Sequence, residues 1–162
     1  MRSLLIAGFI AVFGFSARAE EKSDLAAHLK EAKVPLERGI AASKSAGTPI
    51  SAKYEVEDGK LQLSVYTAKG DAFSEVIVDH KTGKVAKSEA IDKGDDLAAA
   101  KAQNEAMSKA KTSLQDAVAK AVKANKGYKA VSVTPSMKDG HAVAEIMLMK
   151  GAESKTVSEK LD

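Results

Sequence analysis

A pair of glycine-containing turn sequences occurs twice in this chain, with the same spacing between its two members. Asp58-Gly59 is followed by Lys69-Gly70, and Asp139-Gly140 is followed at the same offset by Lys150-Gly151. Between the turns of each pair every second residue is apolar: Leu61, Leu63 and Val65 in the first stretch, and Ala142, Ala144 and Ile146 in the second. Such alternation is typical of a strand with one buried face, and Asp-Gly ahead of it favours a tight turn. The chain must therefore accommodate two similar β-hairpins.

An amphipathic helix is predicted before each hairpin. In the second copy Thr112 and Gln115 have the spacing of a capping box, and the helix is expected to end within 125–127. Its apolar residues recur at helical spacing: Leu114, Ala117, Val118, Ala121 and Val122. In the first copy Pro35 suits the first turn of a helix, and Gly47 follows its expected end. Leu36 and Ile40 should face the first sheet, as Leu114, Val118 and Val122 should face the second.

Three strands are expected after each helix. They lie near Ile50–Glu57, Lys60–Thr67 and Phe73–Asp79 in the first copy, and near Ala130–Met137, His141–Lys150 and Lys155–Glu159 in the second. An Ala-rich stretch over 94–110 predicts a helix between the copies, with Asp95 or Asp96 as its cap. Another short helix is expected over 23–32. The predicted order is helix and three strands, twice.

These elements indicate an α+β fold with two units in tandem. Each unit is a helix on a small antiparallel sheet of about three strands, and the Ala-rich helix joins them. The first unit, with a helical lead-in, spans 20–92, and the connecting helix and second unit span 93–162. Because a unit of about 70 residues buries little apolar surface alone, the two units are expected to pack together.

The first 19 residues have the three parts of a secretory signal peptide. A basic start at Arg2 leads into the apolar run Leu4–Phe15, and small residues follow at Ala17 and Ala19. The run is shorter than the roughly 20 residues that cross a bilayer. The mature protein is therefore predicted to begin at Glu20, to be periplasmic or secreted, and to keep no stable membrane anchor after processing.

Composition narrows the class of function. The predicted signal peptide contains two of the 25 basic residues and none of the 22 acidic ones, so the mature chain carries a net charge of only +1. Nucleic-acid binding therefore lacks its usual basic face. The mature aromatic residues are Tyr54, Tyr66, Phe73 and Tyr128, too few for a base-stacking platform. With no cysteine in the chain, neither disulfides nor thiolate metal sites can contribute to stability.

No arrangement of residues predicts catalysis. The segment Lys81-Thr82-Gly83 matches one motif of penicillin-recognising enzymes, but the accompanying motifs are missing or in the wrong order, so a turn is the preferred interpretation. His28, His80 and His141 show no metal-ligand spacing, and Asp95-Asp96 fits a helix cap better than half of a cation site. The sequence therefore predicts no enzyme, no metal requirement and no cofactor.

The strand around Met147 raises one further question. The stretch 145–149, Glu-Ile-Met-Leu-Met, carries apolar residues on both faces, which predicts a strand covered on both sides. The alternative is that Met147 and Met149 form an adaptable contact surface for a partner.

Three segments of the first copy together resemble a PepSY domain. They are 36–41, 50–66 and 75–85, and the last contains the characteristic closing pattern Val-Asp-x-Lys-Thr-Gly-Lys-Val. In that closing segment Asp79 can accept hydrogen bonds from the turn, and Gly83 tolerates a backbone conformation closed to other residues. The second copy resembles the same family in its helix and Asp-Gly hairpin but has no Lys-Thr-Gly segment. The resemblance covers 34–162.

The resemblance implies a binding function rather than a catalytic one. PepSY domains occur in propeptides of secreted metallopeptidases and in bacterial envelope proteins, which implies inhibition of an envelope peptidase or binding of extended peptides. A sheet edge would supply main-chain hydrogen bonds, with Tyr54, Tyr66 and Lys81 as candidate contacts. The alternative is a structural or stress-related periplasmic protein that interacts with a small ligand or another protein. Both interpretations stay open from sequence.

Overall fold

The computed structural model describes residues 15–162, and side-chain burial from residue 19. The helices are α1 (Phe15–His28), α2 (Leu36–Ser43), α3 (Gly94–Ser108) and α4 (Leu114–Ala124), with a 3-10 turn over Leu29–Glu31. The strands are β1 (Thr48–Glu57), β2 (Lys60–Lys69), β3 (Ala72–Val78), β4 (Val85–Ile91), β5 (Lys129–Lys138), β6 (His141–Lys150) and β7 (Glu153–Lys160). Most of the predicted signal peptide, residues 1–14, lies outside the described residues.

One antiparallel sheet contains all seven strands, in the order β4-β3-β2-β1-β5-β6-β7. The α+β class is confirmed. The sequence predicts two small sheets, whereas the structure has a single sheet of seven strands. Strand β1 pairs with β5, where Ala52 lies opposite Val133. This pairing satisfies backbone groups that would otherwise form two exposed sheet edges.

Local sequence signals predicted most of the helices and strands, and the structure differs from the prediction in several places. The helix expected over 23–32 begins earlier, at Phe15, and the capping Ser113 of α4 lies one residue later than the predicted Thr112. Strand β4 was not predicted, because its sequence VAKSEAI is polar and lacks the apolar alternation of the other strands. Within residues 15–162, no helix is long and apolar enough to cross a membrane.

The helical face of the sheet is the face that α2 and α4 cover. Leu36 and Ile40 of α2 and Leu114 and Val118 of α4 are at most 2% exposed, as their spacing predicts. Val122 is only partly buried but packs against the same core. From the sheet this core receives alternate strand residues, including Ala52, Leu63, Val65, Val76, Val133, Ile146 and Leu148. Burial of these aliphatic side chains is the main source of stability.

The groove face is the opposite face of the sheet, which α3 covers only over the central strands. There a smaller core forms from Ile50, Ala68 and Phe73 of the sheet and Ala100 of α3. Ser51 Oγ donates a hydrogen bond of 2.7 Å to Gln103 of α3. Alanines let α3 lie close to the sheet. The outer strands β3 and β4 contribute Phe73 and Ile91 to this core at one end and extend beyond α3 at the other.

Several backbone features recur at a constant offset of 81 residues. Asp58 and Asp139 both have left-handed φ angles, 50° and 51°, in two-residue hairpin turns. The register of β1 shifts between Pro49 and Ser51, and that of β5 shifts between Ala130 and Ser132.

The entry to each helix is also held in the same way. The amides of Lys33 and Val34 both donate to the carbonyl of His80, at 2.9 and 3.1 Å. The amides of Lys111 and Thr112 both donate to the carbonyl of Leu161, at 2.6 and 2.8 Å. In each half, therefore, the segment before the helix is tied to the end of the third strand.

Candidate functional site

A groove of about 860 Å³ crosses the groove face from β1 to the outer strand β4. Seven acidic side chains line it, among them Glu55, Glu75 and Glu89. The lining lysines are Lys53, Lys60, Lys81 and Lys87. Strand alternation brings these residues to one surface, because neighbouring polar residues on different strands point the same way. The groove therefore has an excess of negative charge although the whole chain is slightly basic.

Lys53 lies at the centre of a polar network on this face. Its Nζ is 2.7 Å from Glu55 Oε2 and 5.7 Å from the centre of the Tyr66 ring. Ser64 Oγ donates to Glu55 at 3.1 Å. Burial alone lowers the pKa of Lys53, but Tyr66 and the Glu55 carboxylate more than offset it, so the pKa lies above its ordinary value. Lys53 therefore stays a cation at neutral pH.

Glu75 lies between a tyrosine and a second glutamate. Tyr66 donates its hydroxyl to Glu75 Oε1 at 3.4 Å, and Glu89 of β4 is the cross-strand neighbour of Glu75. Burial is the largest cause that raises the pKa of the Glu75 carboxyl, and the charge of Glu55 adds to it. Like charges directly opposite one another on paired strands are unfavourable. Lys87 of β4, whose pKa is raised by Glu89 and also by Glu75, offsets part of this repulsion, and a cationic side chain of a ligand would offset more.

The edge of the sheet beside the groove is exposed. Strand β4 has mostly exposed residues and pairs on only one side within residues 15–162. Lys87 Nζ is 2.6 Å from Glu89 Oε1 on the same strand. Val85, 42% exposed, lies at its start. The backbone of β4 is thus available for hydrogen bonding.

A smaller pocket of about 360 Å³ lies beneath α3 and adjoins the groove at Lys53, Tyr66 and Asp96. Its floor contains the hydroxyls of Ser132 and Thr134. Met147 also lines it and is only partly buried, and Glu145 on the same face is exposed. Within 145–149, this face of the strand is therefore covered only around Met149, which is 3% exposed. The pocket is large enough for one side chain of a ligand that occupies the groove.

The three predicted contact residues do not come together. Tyr66 and Lys81 both line the groove. Tyr54 points to the helical face instead, where it is 5% exposed and donates its hydroxyl to the carbonyl of Val34. Burial and the nearby Glu37 raise the pKa of Tyr54 to about 12. Tyr54 is therefore a core residue.

Sequence reasoning missed Lys53, Glu55, Glu75 and Glu89. A signal was present in β1, where Ser51, Lys53 and Glu55 alternate with buried residues. The contribution of Glu89 could not be predicted, because it depends on β4.

The Lys-Thr-Gly segment forms a turn, as predicted. The Asp79 carboxylate accepts the amides of Lys81 and Thr82 at 2.7 and 2.9 Å, and Gly83 has a φ of 75°. The amide of Thr82, then that of Lys81, lowers the pKa of Asp79. This turn connects β3 to β4 and so forms one end of the groove.

The remaining candidate groups are dispersed. His28 bonds to Asp24 and His141 to Asp162, while His80 Nδ1 is buried without a hydrogen-bond partner. The described residues contain no group of three or more His, Cys, Asp or Glu side chains that could hold a metal ion.

Two predicted caps differ from the structure. Lys93 occupies the cap of α3, and Asp95 and Asp96 lie in its first turn, where their charges favour the helix dipole. In α4 the cap Ser113 accepts the amide of Asp116, and Gln115 instead accepts a hydrogen bond from Lys44.

Comparison with known proteins gave no relative: no family model, no curated protein and no solved structure matches this chain.

Proposed function

We propose that this chain is a non-enzymatic, exported binding module that holds an extended peptide segment with cationic side chains. The segment would belong to an envelope peptidase, which the module would inhibit, or to another peptide of the cell envelope. The observation that carries the proposal is the acidic groove beside the exposed strand β4. An extended peptide matches both the shape of the groove and its charge.

Main-chain pairing would supply the affinity. A peptide that pairs with β4 continues the sheet by one strand, as in other cases of strand addition. Every second side chain of the peptide would then lie on the groove face beside Glu89. A lysine or arginine there is attracted by both Glu89 and Glu75. Specificity for cationic segments follows from this position.

The protonation states of Lys53 and Tyr66 fit a role in binding. A lysine that acts as a nucleophile or general base needs a lowered pKa. The pKa of Lys53 is raised instead, by Tyr66 and Glu55 against the effect of burial. The pKa of Tyr66 is also raised, chiefly by burial. Both groups therefore keep their protons at neutral pH and serve as hydrogen-bond donors.

We also propose that residues 34–162 comprise two PepSY-like units in tandem, the second without the closing turn. The support is the constant offset of 81 residues between the hairpin turns and between the register shifts. The ties at the two helix entries are also alike, although their donor residues are 78 residues apart. Ala52 and Val133, which lie opposite each other where β1 meets β5, have the same offset. The groove then belongs to the first unit, the one that resembles the family more fully.

Export is proposed from the signal-peptide pattern of residues 1–19, with Glu20 as the first mature residue. The mass of the protein recovered from the exported fraction tests it. A mass that includes residues 1–19 would contradict processing.

The binding proposal is tested by titrating the purified protein with an extended lysine-containing peptide and with the same peptide carrying glutamine at each lysine. The lysine peptide should bind more tightly, and added salt should weaken it. Glu75→Gln and Glu89→Gln should each weaken binding about two- to fivefold. Glu105→Gln, the same change on the outer side of α3, is the matched control and should have no effect.

Equal affinity for the two peptides would contradict a charge-selective groove. Turnover of a peptidase or hydrolase substrate that a single substitution abolishes would contradict the non-enzymatic proposal. If no peptide binds and no secreted metallopeptidase is inhibited, the alternative of a structural or stress-related envelope protein is favoured.

A further inference from the structure

The strand β7 forms the other edge of the sheet, far from the groove. It pairs with β6 without interruption, from Lys150 opposite Glu153 to Val143 opposite Lys160. On its outer side it pairs with no strand among residues 15–162. The opposite edge differs, because the register between β3 and β4 shifts at Ile77 and Val78. Strand β4 is therefore regular only over 87–91, beside the groove, where a short peptide could pair, whereas β7 is regular along its whole length and suits a longer strand.

The free backbone groups of β7 can be identified from the hairpin. Two residues connect β6 to β7, so the closing pair of Lys150 and Glu153 is hydrogen-bonded, and bonded pairs alternate with non-bonded pairs from there. Glu153 and every second residue after it therefore bond to β6. The intervening residues, including Thr156 and Ser158, direct their N–H and C=O groups outward.

The side chains of β7 are complementary to a second copy of the same strand. If two copies run antiparallel with Val157 opposite Val157, Lys155 of each lies opposite Glu159 of the other. Thr156 then lies opposite Ser158, and their outward backbone groups form a bonded pair. Opposite charges and hydroxyl pairs at facing positions both favour strand association.

We propose that this protein forms a symmetric dimer in which the β7 strands of two copies pair antiparallel about Val157. Antiparallel pairing of this kind already occurs inside the chain. There β1 pairs with β5 and joins strands β1–β4 and strands β5–β7 into one sheet. A dimer built on β7 extends the sheet across two molecules. It leaves the groove and β4 of each copy free, at the outer ends of the extended sheet.

The existing contacts of the charged residues are compatible with this pairing. Glu159 Oε2 accepts Lys120 at 2.6 Å and leaves its second carboxylate oxygen for Lys155 of the other copy. The side chain of Lys155 is exposed, and its Nζ lies 4.2 Å from the centre of the Tyr128 ring. Neither contact blocks the outward backbone groups.

The oligomeric state of the purified protein, measured by light scattering across a wide range of concentration, tests the proposal. A dimer is expected. Ser158→Pro removes an outward N–H while leaving the bonds to β6 intact, and it should raise the dissociation constant at least roughly tenfold. Lys155→Glu should also weaken the dimer, and the double variant Lys155→Glu, Glu159→Lys should restore it.

Lys87→Glu on β4 is the matched control and should leave the dimer unchanged. Melting curves establish that each variant is folded, and the charge variants decide the question if Ser158→Pro does not fold. A monomer at every concentration overturns the proposal. So does a dimer that is unaffected by Ser158→Pro and Lys155→Glu, or one that Lys87→Glu disrupts.

Discussion

The two faces of the sheet are built from the same strands but contribute very differently to the stability of the fold. In β2, Leu61, Leu63 and Val65 point to the helical face, while Gln62, Ser64 and Tyr66 point to the groove face. The helical face excludes water beneath two helices, whereas the groove face is covered by α3 only at its centre. Stability is therefore concentrated on one face, which leaves the other free to carry charged residues.

The tyrosines Tyr54 and Tyr66 show the difference within one residue type. The hydroxyl of Tyr54 bonds to a backbone carbonyl in the core, whereas that of Tyr66 makes a long bond of 3.4 Å to Glu75. One tyrosine satisfies a buried backbone group, and the other belongs to a polar surface open to a ligand. Substitutions on the two faces should accordingly differ in their effects.

The largest effect is expected from Leu114→Ala on the helical face. Leu114 is 2% exposed, and truncation of such a side chain costs about 2 to 5 kcal/mol of unfolding free energy. The matched change on the groove face is Met147→Ala, which removes a partly exposed side chain and should cost less. Chemical denaturation measures both. Equal losses would mean that stability is shared between the two faces.

A close approach in the same core predicts the next effect. A Cβ added at Gly39 in α2 would lie 2.6 Å from Leu63 Cδ2, and Leu63 is fully buried. Gly39→Ala should therefore destabilise the protein by about 1 to 2 kcal/mol, since overpacking exceeds the gain in helix propensity. In a Leu63→Val background the cost should fall. A cost that stays the same would place the strain elsewhere.

Removal of the two tyrosine hydroxyls compares the faces directly. Tyr54→Phe leaves the buried carbonyl of Val34 without its partner and should cost about 1 kcal/mol. Tyr66→Phe should change the stability by less than about 0.5 kcal/mol. Thermal unfolding of the two variants side by side is the measurement. The reverse order would contradict the assignment of Tyr54 to the core.

The pH dependence of Glu75→Gln should be small and of known sign. Burial raises the pKa of Glu75, so the folded protein favours the neutral carboxyl group. The stability contributed by that neutral group is fully present below the ordinary pKa of 4.5 and is lost as the pH rises through the folded-state pKa. Gln cannot ionise, so the variant should gain stability relative to wild type as the pH rises to neutrality. Melting temperatures at acidic and neutral pH would show this. A constant difference would contradict it.

Asp79→Asn should show the opposite dependence. The amides of Thr82 and Lys81 lower the pKa of Asp79, so its contribution is present above the ordinary value of 3.8 and is lost as the pH falls through the folded-state pKa. The variant should be less stable than wild type at neutral pH, with a difference that shrinks in acid. A difference that grows in acid would contradict the role of the carboxylate.

Local features could be predicted because their causes are local. The Asp-Gly hairpins depend on two residues that adopt left-handed φ angles, and the Asp79 turn depends on a carboxylate within three residues of the amides it accepts. Helix faces such as Leu114 and Val118 depend on spacing alone. Strand β4 was missed because it has no apolar alternation, and the cap of α4 was predicted one residue early because Thr112 and Ser113 can both cap a helix.

By itself, the sequence located six of the seven strands and the apolar side of the alternating ones, because both follow from alternation along a few neighbouring residues. The tertiary structure alone decided that β1 pairs with β5, that Tyr54 and Tyr66 lie on opposite faces, and that Glu55, Glu75 and Glu89 share one groove. Those outcomes depend on pairing between residues far apart in the chain. Strand register sets such pairing, and no short stretch of sequence encodes it.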